Sequence, residues 1–80
     1  MIHHLKIESI YFELVLSGEK TFEVRLDDRN YRQDDVVILK ELKLFKYSGR
    51  EIKADIGYVC RYKQIGGQVV FSLLNVEVLK

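Results

Sequence analysis

The sequence predicts an α+β domain, with one main helix near the N-terminus and five or six mostly antiparallel strands in a small, closed or nearly closed sheet. Three observations carry this. An apolar stripe at helical spacing occurs early in the chain. Short alternating or apolar runs follow, separated by turn-forming clusters. Closure then disposes of the free edges that a small sheet would expose. With 80 residues, residues 1–80 read as a single domain.

Taken in order, Ile2 to Lys6 reads as a short strand, with Leu5 and Ile7 on one parity and His4 and Lys6 on the other. Glu8 to Ser17 reads as a helix. Ile7, Ile10, Tyr11, Leu14 and Val15 follow the i, i+3, i+4, i+7, i+8 pattern of one buried stripe. Glu8 complements the positive end of the helix dipole, and Ser9 can cap. Gly18 is then a left-handed helix stop.

"KTFEVR" alternates with period two and reads as a strand, with Thr21, Glu23 and Arg25 on one side and Phe22 and Val24 on the other. "LDDRNYRQDD" is a loop of turn-tolerant residues. "DVVILKELKLF" starts with a continuous apolar run, the mark of a strand buried on both faces. "KYSGRE" contains a hairpin signal at Ser48-Gly49. "EIKADIGYVC" alternates, with Ile52, Ala54, Ile56 and Tyr58 on one face. "RYKQIGGQ" is a second loop, and "VVFSLLNVEVL" is a closing strand bent near Asn75.

Composition excludes several classes. A hydrophobic fraction of 48% against a charged fraction of 31% is that of a globular chain. The apolar runs "VVIL" and "VVF" are far shorter than the roughly 18 residues of a membrane span, and "MIHHLKIES" lacks the apolar core of a signal peptide. No membrane partner is expected. Cys60 is alone, so no intrachain disulfide forms, and a reducing, cytoplasmic location fits. The net charge of +1 is too small for a dedicated duplex-DNA binder, so any nucleic-acid contact depends on local segregation of charge.

The chemistry-bearing residues cluster in three places. Lys20, Glu23 and Arg25 follow Gly18. Glu23 and Arg25 share a strand face roughly 7 Å apart. They read either as an ion-paired surface or as a grip in which Lys20 and Arg25 hold a phosphate or carboxylate while Glu23 accepts from a base or orients the lysine. Arg29 and Arg32 flank Tyr31 and read either as a solvated loop with local Asp–Arg pairs or as guanidinium forks beside a stacking face. Arg61 and Lys63 repeat the mixture around Tyr62. His3 and His4 point opposite ways on a strand, so they do not make a metal pair, and His3 is left to line the site or to pack. No motif calls for a metal or a cofactor.

The stretch "GEKTFEVR" places Gly18, Lys20, Glu23 and Arg25 in the G-x-K-x-x-E-x-R pattern and resembles the signature of the ASCH domain family, whose barrel is PUA-like. "HHLKI", "YFELVLSG", "DDRNY", "DDVVILKE" and "GGQVVFSL" extend the likeness over nearly the whole chain, towards a compact bacterial and phage branch. Asp34 stands where relatives often carry glycine, and Asp tolerates a left-handed turn. The resemblance implies a pseudo-barrel with a cleft floored by the signature, binding RNA or a nucleotide-like ligand. Some small relatives hydrolyse an acyl amide on a modified cytidine. They carry a threonine nucleophile where this chain has Glu23, and an insert with a catalytic glutamate for which this chain is too short. The expectation is therefore a binder. An amidohydrolase-like enzyme is the runner-up, and a protein-interaction module, marked by an exposed apolar patch, is the third class.

Overall fold

The computed structural model describes residues 1–80. Its elements are β1 (Ile2–Glu8), α1 (Ser9–Ser17), β2 (Phe22–Leu26), β3 (Val36–Lys43), β4 (Lys46–Cys60) and β5 (Gln68–Val78). They form one five-stranded sheet in the order β1-β3-β4-β5-β2. The β1–β3 pair is parallel and the other three are antiparallel, and the sheet is a half-barrel with β1 and β2 as its two edges. The expected α+β class, one helix and five mostly antiparallel strands, is observed, but the sheet stops short of closure, because β1 and β2 do not pair.

The core lies on the inner face. Alternate residues of β1, β3, β4 and β5 reach it: Leu5 and Ile7, Val37 and Leu39, Ile52, Ala54 and Ile56, and Val69, Phe71 and Leu73. Val37, Ile38 and Leu39 are all buried, as the continuous run predicts.

Helix α1 rests against β1 and β3 through Phe12 and Val15. The expected stripe is out of phase, because Ile7 belongs to the preceding strand and a helical count begun there is offset. The real stripe is Ser9, Phe12, Val15, while Ile10 and Tyr11 face outward. Nine residues make a marginal helix in water. Burial of Phe12, worth about 1.5–3 kcal/mol, holds it in place. Ser9 does not cap either: Glu8 is the N-cap without a side-chain bond, and Ser9 Oγ donates to Glu41 Oε2 at 2.7 Å. Gly18 does end the helix at φ 85°, its N–H bonded to Val15 O at 3.1 Å.

Two turns differ from expectation. The β3–β4 hairpin closes at Leu44-Phe45, not Ser48-Gly49, because the ladder runs on to Lys43↔Lys46. Ser48 and Gly49 instead form a bulge, where two β3 steps face four on β4. Tyr58 leaves the Ile52–Ala54–Ile56 face because a second bulge intervenes between Ile56 and Val59. Gly57 is needed there: a Cβ would collide with Ser72 Oγ and approach Leu74 Cδ1 to 3.0 Å. The bend at Asn75 is present, with φ 54° beside a register shift, and Asp34 is left-handed at φ 73°.

Candidate functional site

Strand β2 is inverted relative to ordinary patterning. Its polar residues point in and its apolar ones point out. Glu23 is 4% exposed, whereas Phe22, Val24 and Leu26 on the outer face are 45–59% exposed. Burying a carboxylate is costly unless cations and hydrogen bonds compensate. Here both oxygens are held. Lys20 Nζ donates to Oε1, and Arg25 Nε donates to Oε2 at 2.8 Å.

Each cation is held a second time. Lys20 Nζ also donates to Phe22 O at 2.7 Å and lies 5.2 Å from the Phe22 ring centroid and 6.0 Å from that of Tyr11. Arg25 Nη2 donates to Lys6 O at 2.6 Å. The backbone helps to place Lys20, whose N–H bonds to Leu14 O at 2.9 Å just after the glycine cap. Gly18 thus acts at the site by directing the chain from helix into strand.

These residues face a cleft of about 430 Å³ between the end of β1, the outer side of α1 and β2. Lys6, Ile7 and Glu8 form one wall, and Tyr11 and Val24 form the apolar part of the others. An ammonium has three donors and a guanidinium five. The internal contacts use two of each, so both heads keep donor capacity while Glu23 fixes their positions. Two cations against one buried carboxylate leave a net positive centre. A smaller cavity of about 200 Å³, lined by Leu5, Leu26, Asp28, Arg29 and Tyr31, adjoins the far side of Arg25.

The structure brings Lys20, Glu23 and Arg25 together, places Arg29 and Tyr31 on the adjoining cavity that Arg25 also lines, and leaves His3, Arg32, Arg61 and Lys63 outside both cavities. His3 is buried away from the cleft. Its Nε2 donates to Asp35 Oδ2 at 2.8 Å and its ring leans on Tyr31 at 4.8 Å, because His3 shares the inward parity of Leu5 and Ile7. That bond holds the Asp35 carboxyl below its usual range. Tyr31 offers no stacking surface: it is 1% exposed and packs 5.0 Å from Phe71. Burial, then the nearby Asp28 charge, pushes its phenol up.

Arg61 braces two loops. Its Nε donates to Asp27 Oδ2 at 2.9 Å and its Nη2 to Tyr31 O at 2.7 Å. The first of these bonds is the main reason the Asp27 carboxyl is lowered. Arg29 Nη1 donates to His4 O at 3.1 Å, on the same β1 edge that Arg25 reaches. Arg32 is exposed, its guanidinium beside the Asn30 amide oxygen, and Lys63 lies over the Tyr62 ring at 5.4 Å on the surface.

A second buried carboxylate was legible only by parity. Glu41 continues the inward series of Val37 and Leu39 and is 1% exposed. It accepts from Ser9, Ser48 and twice from Arg50, the last at 2.9 and 2.8 Å. The Arg50 bonds first, then the two hydroxyls, hold its pKa at about 2. Arg50 also pairs with Glu13 and covers the Phe12 ring at 4.8 Å. Every lone-pair direction there is spent internally, so this network clamps α1 to the sheet.

Fold and site together define a class: a small half-barrel domain with a cation-held glutamate at the floor of a cleft. The chain belongs to the family described as a domain of unknown function, DUF3850, whose model matches residues 2–75. It is 44% identical over 55 residues to the "Uncharacterized 12.9 kDa protein in GpA 3'region" of Escherichia phage P2. That alignment covers 69% of this chain and 50% of the relative, so the chain spans about half the length of the curated relative it matches. No helix is long and apolar enough to cross a membrane.

Proposed function

We propose that this domain is a PUA-like module of ASCH type that binds a nucleotide-like ligand or single-stranded RNA in the cleft over Lys20, Glu23 and Arg25. The observation that carries the reading is the pair of cationic heads fixed by one buried carboxylate at a cleft of about 430 Å³. That size suits one nucleotide-sized group. Guanidinium and ammonium donors suit a phosphate, and the half-exposed Tyr11 ring with Ile7 and Val24 suits a flat, partly apolar body.

Glu23 acts by positioning. With both oxygens engaged by cationic donors, it is poorly arranged to take a proton from water. Thr21 is exposed just before β2, and its carbonyl accepts from the Leu73 N–H at 2.9 Å. Binding, not hydrolysis, is the activity this arrangement supports. The test is calorimetric titration with a nucleotide panel and short RNAs at several salt concentrations. Two or three neutralised phosphates give a log–log salt slope of roughly −1.4 to −2. Absence of binding by the wild-type protein at low salt would remove the reading.

A further inference from the structure

The β3–β4 hairpin breaks two local rules at once. Its two-residue loop is Leu44-Phe45, both at positive φ, 52° and 65°. Such loops favour Asn-Gly, because side chains larger than these are strained in the left-handed region. Both residues are almost wholly in solvent, at 88% and 96% exposure, so no packing compensates. The pair that closes the loop is Lys43↔Lys46, two like charges directly opposite each other, which is unfavourable in a ladder. Tyr47 follows, half-exposed, with Lys40 Nζ 5.9 Å from its ring centroid. From Leu42 to Tyr47 there is no acidic residue. Departures from local consistency without internal compensation concentrate where a partner supplies it.

The register places this tip at the cleft's end of the molecule. Glu8, in the cleft wall, sits opposite Leu42, so Leu44 begins within roughly 10 Å of that wall. Cations interleaved with exposed aromatics, and no acids, match a polyanion that carries flat bases. An apolar socket on a protein would need acidic rims to meet the same lysines. We infer that the tip is a second contact for single-stranded RNA: Phe45 stacks a base, Lys43 and Lys46 take phosphate, and the strand runs on from the cleft. This rests on the nucleotide reading of the cleft and extends it from a mononucleotide to an oligonucleotide.

The test uses the full chain, a mononucleotide and a single-stranded RNA of about ten nucleotides, a length within the usual span of one small barrel. The variants are the loop replacement L44N/F45G and Phe45→Ala. L44N/F45G relieves the backbone strain, so its Tm rises by about 4–8 °C. Its affinity for the oligonucleotide falls about tenfold or more, as does that of Phe45→Ala, while mononucleotide affinity stays within about twofold. Failure of the wild type to bind either probe removes the cleft reading and this inference together. Oligonucleotide affinity that survives both variants but is lost with Lys20→Ala removes this inference alone. Such survival, coupled with loss of sedimentation on phosphatidylserine-rich vesicles, would reassign the tip to a lipid surface and equally overturn the proposal.

Discussion

The Arg25 guanidinium donates to the carbonyl oxygen of Lys6 at 2.6 Å, so the two edge strands of the sheet are joined by a side chain and not by a ladder. Arg29, in the loop that follows β2, donates to a second β1 carbonyl, that of His4, at 3.1 Å. An edge strand presents unpaired carbonyls that must be satisfied or blunted. These arginines satisfy two of them on β1.

Arg25 therefore has two structural duties. Arg25→Lys keeps the charge but cannot reach Glu23 and Lys6 in one fork, and is expected to cost about 1 kcal/mol. Arg25→Ala strips one partner from a buried carboxylate and is expected to cost about 2–3 kcal/mol, less than a fully buried pair because Lys20 remains. Urea denaturation measures both. An unchanged midpoint for Arg25→Lys would show that the bond to Lys6 contributes nothing.

Acid should loosen the clamp on α1. Glu41 has a folded pKa of about 2 against 4.5 for the free group, so its folded value is depressed. The stability it supplies is complete above about pH 4.5 and is lost as pH falls towards 2. Asp27 and Asp35 are lowered too and act in the same direction. Glu41 contributes on the order of 2 kcal/mol, discounted because its partner Arg50 is partly solvated. Thermal melts of wild type and Glu41→Gln between pH 7 and pH 2 should converge in acid. Parallel curves would contradict the assignment.

Gly18→Ala meets no atom within 4 Å, so its cost is conformational alone. At φ 85° that cost is about 1 kcal/mol, read as a lower Tm with the fold intact. A neutral substitution would mean that the helix end relaxes to another cap.

The sequence was readable where local chemistry decides. The strand runs, the Gly18 stop, the bend at Asn75 and the cluster of Lys20, Glu23 and Arg25 all rest on patterns a few residues wide. Elsewhere tertiary context decides. The helix stripe shifted because Ile7 ends a strand. The hairpin moved to Leu44-Phe45, a pair with no turn propensity. His3 and Tyr31 went inside because one shares a strand's inward parity and the other is drawn down by Phe71 and the Asp27 bond to its N–H. Glu41 carried a usable signal, a carboxylate in an inward apolar series with two serines and an arginine that fold back to it.

The binder reading forbids one reaction. Purified protein incubated with N4-acetylcytidine should leave it intact by chromatography, since amide hydrolysis needs an activated nucleophile and Glu23 is committed to two cations. Turnover abolished by Glu23→Gln would make the cleft an active site. Turnover that survived the change would shift attention to Thr21.

The most direct measurement of the central claim is a titration of ¹⁵N-labelled protein with a nucleotide or short RNA, followed residue by residue in amide spectra. The cleft reading predicts saturable shifts at Lys6 to Glu8, Tyr11 and Lys20 to Arg25, weakened by salt and lost in Arg25→Ala that remains folded. A spectrum that does not move at saturating ligand, or moves only at residues remote from those strands, would contradict it.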